Sequence, residues 1–156
     1  MGIPKHNISI ILAVIALTVA PTQLRATNRG GQIVIGPNAP AMEQYAAREL
    51  QRYLYQVSGS FLPIESVNLE ARLAGPVFVI GTRESNPLIA KLAAEGQVQV
   101  STTDPGPQSY VLKKVGQASR MPNSTATLVI AGSDAVGCLY GVYLRLLSEY
   151  MDRVHP

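Results

Sequence analysis

Ten acidic residues, one cysteine and two histidines are the side chains of this 156-residue chain best suited to chemistry. The histidines are poorly placed for it. His6 precedes an apolar leader and His155 stands next to the C-terminal residue. Serine hydrolysis needs a base beside the nucleophile, and there is no G-x-S-x-G turn to present that nucleophile. Cys138 sits inside an apolar pattern with no histidine near it in sequence, so it reads as a small buried hydrophobe rather than a thiolate. One cysteine and two remote histidines supply no metal-ligand spacing, so no metal is expected. The acids run from Glu43 to Asp152 with no two adjacent. Glycoside hydrolysis needs two carboxyls facing each other across a bond, about 5–10 Å apart. These read instead as solvated charges on helix faces and loops, and no catalytic residue is assigned.

The stretch "GSDAVGCLYGVY" (132–143) offers a second kind of chemistry. Its first two glycines have the spacing of a phosphate-binding loop. Such a loop needs lysine and then serine or threonine after the second glycine, where this chain has Cys138 and Leu139. The dinucleotide pattern fails at Asp134, whose carboxylate suits a helix N-terminus but repels phosphate. No cofactor is expected. Gly137 and Gly141 each cost a helix about 1 kcal/mol relative to alanine. They share one face, which predicts a backbone that lies very close to a neighbouring element.

The elements that position these residues follow from the hydrophobic pattern. "QIVI" (32–35), "FLPIESV" (61–67), "PVFVIG" (76–81), "SYVLKKV" (109–115) and "ATLVIAG" (126–132) read as strands. Pro63 favours an edge position for the second, and the uniformly apolar third reads as central. "AMEQYAARELQRYLYQVSG" is an amphipathic helix with Ala46, Leu50, Tyr53, Leu54 and Val57 on its apolar side. Glu43, Gln44, Arg48, Gln51 and Arg52 fall mostly on the other, and Gly59 ends the helix. A short helix spans 86–96. A third runs from about Asp134 to Tyr150, with Ser133 as N-cap and apolar residues nearly all round, which predicts burial. The order β-α-β-β-α-β-β-α predicts an α/β (α+β) domain: a mixed sheet of about five strands carrying two long helices and one short one.

Ahead of this domain, Lys5 and His6, the apolar run "ISIILAVIALTVA" and "PTQLRA" have the order of a secretory signal peptide over residues 1–26. The run is shorter than the ~20 residues a spanning helix needs. An exported chain, secreted or periplasmic, is therefore expected, with 27–156 as its single domain and no membrane association once the leader is cut. Lys5 and Arg25 leave with it, so eleven of the thirteen basic residues stand against ten acidic ones. With no basic stripe, nucleic acid is not an expected partner. Asn123-Ser124-Thr125 is a glycosylation sequon. "GTRESNP" (81–87) is the most polar stretch after a core strand, where open sheets bind ligands. Arg83, Glu84 and Asn86 are the candidate contacts to a sugar or a neighbouring domain, against an ordinary helix-start role.

The succession of "YAARELQRYLYQVSG", "LPI", "VFVIGTRESNPLI", "SYVLKKV" and "LVIAGSDAVGCLYGVYLRLLSEY" resembles the N-terminal, non-catalytic domain of secreted glycoside hydrolases. It is most similar to the α-glucuronidase N-terminal domain and, more loosely, to the second domain of bacterial β-N-acetylhexosaminidases. The resemblance covers about residues 32–151, and "IAGSDAVGCLYGVY" is its most specific piece. It implies an accessory domain for xylan catabolism that packs beside a (β/α)8 barrel, where the catalytic carboxylates would lie. The barrel is absent from this sequence, so the resemblance transfers no catalytic residue. A standalone carbohydrate-binding or scaffold module is the alternative. Such modules stack exposed aromatics on sugars, but this chain has no tryptophan and its tyrosines fall mostly in helix patterns.

Overall fold

A computed structural model describes residues 31–66, 75–115 and 127–154. The leader and the sequon lie outside them. Five strands and three helices follow the expected order: β1 (Gln32–Ile35), α1 (Ala41–Ser58), β2 (Ile64–Ser66), β3 (Val77–Gly81), α2 (Pro87–Ala94), β4 (Tyr110–Val115), β5 (Thr127–Gly132) and α3 (Ala135–Val154). They form one mixed sheet in the order β2-β1-β3-β5-β4. The first four strands of that order are parallel, and β4 closes the row antiparallel to β5. The fold is α/β, with two long helices and one short one.

Strand alternation divides the core into two layers. Ile33, Ile35, Ile80 and Ile130 face α1 and α3, meeting Ala46, Ala47, Leu50, Cys138 and Val142. Val34, Val77, Val79, Val129 and Ala131 face the opposite way and pack on Leu88, Ile89 and Leu92 of α2, with Val98 and Val100 beyond it. Strands covered on both faces read as continuous β-branched runs, which is why β3 and β5 show almost no polar residue. β2 lies at the edge, just after Pro63, and is shorter than the pattern suggested, with three residues rather than seven. The sequence places no limit on strand length where only one side finds a partner.

The twin glycines are explained by packing. An alkyl group on Gly137 would run into the backbone carbonyl of Ser109. One on Gly141 would come within 2.8 Å of the Ile130 side chain and 3.2 Å of Tyr110. α3 is thus seated directly on β5 and on the start of β4. Burial of the whole helix does not hold, however. Tyr140, Tyr143, Leu144 and Leu147 remain 46, 37, 45 and 58 % exposed. The helix is buried on the glycine side only, and its other apolar side faces outward.

Candidate functional site

The chain turns from one side of the sheet to the other between β1 and β3. β1 continues through α1 to β2 on its left in the strand order, and β3 leads through α2 toward β4 and β5 on its right. In open α/β sheets the crevice outside the carboxyl ends of such strands is where ligands bind. Here that crevice is an open cleft of about 450 Å³, lined among others by Asn38, Glu43, Thr82, Glu84, Ser85, Ser133 and Asp134. It brings together three carboxylates that are far apart in sequence.

Glu43 is the least expected of them. It occupies the third position of α1, yet its side chain is completely buried. The spacing 43, 46, 47, 50 puts it on the core side of the helix. Ser85 Oγ donates to it, lying 2.7 Å from each carboxylate oxygen. The Thr82 N–H donates to it as well. Burial raises its pKa above the ordinary carboxylate value, the two hydrogen bonds work against that rise, and Glu84 adds to it. Gly81, at φ 147°, leaves the room: a side chain there would meet Asn86, Ser85 and the Glu43 carboxylate.

Asp134 shows the opposite perturbation. One oxygen accepts the Gly137 N–H at 2.7 Å and the other the Gln108 N–H at 2.8 Å. These bonds lower its pKa. Asp134, rather than Ser133, therefore caps α3. The Ser133 hydroxyl turns away from the helix, donating to Gly106 and Ser109 carbonyls and accepting the Ser109 N–H. Gln108 sits at φ 56°, a left-handed conformation that its bond to Asp134 helps to hold.

A raised carboxyl and a lowered one in one cleft is the signature from which acid and base roles are assigned in hydrolases. The geometry here gives them other work. The Glu43 carboxyl has no accessible surface, and both Asp134 oxygens are taken by backbone donors. No buried polar side-chain atom among the described residues lacks a partner. The cleft's polar groups make two separate ties: Glu43 joins α1 to the loop after β3, and Asp134 and Ser133 join the start of α3 to residues 106–109. Beneath them Cys138 is buried, and burial pushes its thiol up to about 12, far from a reactive thiolate.

The three contacts read from "GTRESNP" separate. Asn86 is fully buried, its Oδ1 capping α2 through the Leu88 N–H and its Nδ2 donating to Ile80 O. Glu84 reaches the rim of the cleft, and Arg83 is exposed beside it. Among the described residues, no group of three His, Cys, Asp or Glu side chains is placed to hold a metal ion, and no helix is long and apolar enough to cross a membrane.

Among the described residues, exposed apolar side chains gather elsewhere, on the outer side of α1 and α3. The two helices lie side by side, and the Tyr143 hydroxyl is hydrogen-bonded to Tyr45. Arg52 Nη2 donates to Glu49 Oε2 at 2.8 Å on the same side of α1. Between the helices, Tyr53, Tyr143, Leu146 and Leu147 line an apolar groove of about 470 Å³. Met42, Tyr140 and Leu144 extend the exposed surface. The outward tyrosines were hidden in the sequence because a helix's apolar residues do not say which side meets the sheet. Compared with known proteins, the chain matches no family model and no curated relative.

Proposed function

We propose that this chain is the accessory α/β domain of an exported, polysaccharide-degrading glycoside hydrolase, and that a catalytic (β/α)8 barrel packs on the outer side of α1 and α3. The observation that carries this reading is the exposed apolar side of α3 with its neighbours on α1. A contiguous patch of this kind, rimmed by charge at Arg52 and Glu49, marks an interaction surface. Tyrosine and arginine are the residues that anchor such interfaces. Two of the cleft's three carboxylates, Glu43 and Asp134, support the same assignment from the other direction, since they are engaged in holding the backbone together. The resemblance of residues 32–151 to the α-glucuronidase N-terminal domain supplies the parent chemistry: hydrolysis of glucuronosyl groups on xylan fragments. A β-N-acetylhexosaminidase parent is the variant within this reading.

The test is the intact mass of the native protein from its producing organism, captured with an antibody to residues 27–156, followed by assays on the captured protein. A species much heavier than 16.7 kDa that releases glucuronate from glucuronoxylan oligosaccharides is the expected result. Release of N-acetylhexosamine from aryl glycosides would move the parent to the second family. A species no heavier than the chain itself would overturn the reading.

The half-exposed tyrosines Tyr45, Tyr140 and Tyr143 favour one other reading, a carbohydrate-binding module that stacks sugar rings on the same surface. Saturable binding of xylo-oligosaccharides by the purified domain, lost in Tyr143→Ser, would select it.

A further inference from the structure

We draw no further inference here: the strongest candidate, the cleft over the C-terminal ends of β1, β3 and β5 where Glu43, Glu84 and Asp134 meet, belongs to the site already described, and nothing in the structure points to a ligand for it.

Discussion

Replacing Gly137 by alanine sets two well-defined effects against each other. In an exposed helix interior the change would stabilise α3 by about 1 kcal/mol. At this position the new methyl meets the Ser109 carbonyl, which is backbone and cannot rotate away. That carbonyl also accepts hydrogen bonds from the Ser133 N–H at 2.9 Å and the Ser133 hydroxyl at 3.1 Å. Retreat of the 106–109 loop would strain those bonds and the one from Gln108 to Asp134. Overpacking of a well-packed site costs about 1–3 kcal/mol, and a backbone clash belongs at the upper end. The net expectation is a loss of roughly 2 kcal/mol, or about 8 °C at about 4 °C per kcal/mol. Gly141→Ala presses on Ile130 Cγ2, part of a fully buried β-branched side chain, and on Tyr110 Cβ and Cγ beside the backbone, so it too should lose stability, by less than Gly137→Ala. Gly141→Leu raises the loss to about 1–3 kcal/mol. Urea unfolding followed by circular dichroism measures all three. A Gly137→Ala protein more stable than the parent would show that α3 does not rest on the start of β4, and the packing account of both glycines would fail.

Glu43→Gln should leave the domain as stable as the parent, or more so, at pH 7. The raised pKa of Glu43 means its stabilising contribution is complete below its unfolded value of about 4.3 and is lost as pH rises through the folded value. Urea midpoints from pH 4 to 8 should therefore fall relative to those of the Gln variant, and a relative rise would reverse the assignment. Asp134→Ala should cost about 1 kcal/mol at pH 7, as loss of a helix cap does. Because the Asp134 pKa is lowered, that difference should shrink as acid protonates the parent's carboxylate; a difference independent of pH in thermal melts would count against the cap. Cys138 should resist iodoacetamide in the folded protein and react on unfolding, with rapid labelling of the native state as the contrary result. Leu147→Ser together with Tyr143→Ser should cost the domain itself only about 1 kcal/mol, mainly the lost Tyr143–Tyr45 hydrogen bond. If the proposed barrel packs on this surface, the same pair should weaken that packing in the longer protein, seen as separate unfolding of the two domains in calorimetry. Unaltered joint unfolding would remove α1 and α3 from the interface.

What the sequence disclosed, and what it withheld, divides along local and non-local lines. The β-branched runs of β3 and β5, the Gly59 stop at φ 69° and the close approach at Gly137 and Gly141 all leave a mark within a few residues. The burial of Glu43 also had one, in its spacing to Ala46, Ala47 and Leu50, but its charge outweighed the spacing in a reading by polarity. The choice of Asp134 over Ser133 as the cap had none. Both residues suit the position, and the matter is decided by residues 106–109, which arrive from another part of the chain to take the Ser133 hydroxyl. The outward side of α3 cannot be read from polarity, because both of its sides are apolar. Only the glycines, which admit the sheet on one of them, separate the two.

The strand order carries a consequence for how the chain acquires its structure. β4 is made before β5, yet among the described strands its only partner is β5, which must come between it and β3. Until residues 127–132 are available, β4 has no ladder to join and α3 has no floor. Pairings between segments so distant along the chain make the search for the native state slow, because loop closure must precede the contacts that reward it. An emerging chain would carry β1, α1 and β3 with the Ile80 side of the sheet partly uncovered. If the chain is exported as proposed, that delay would be an advantage: the sheet cannot be completed until β5 has been made, so the segments before it stay unfolded long enough to be threaded.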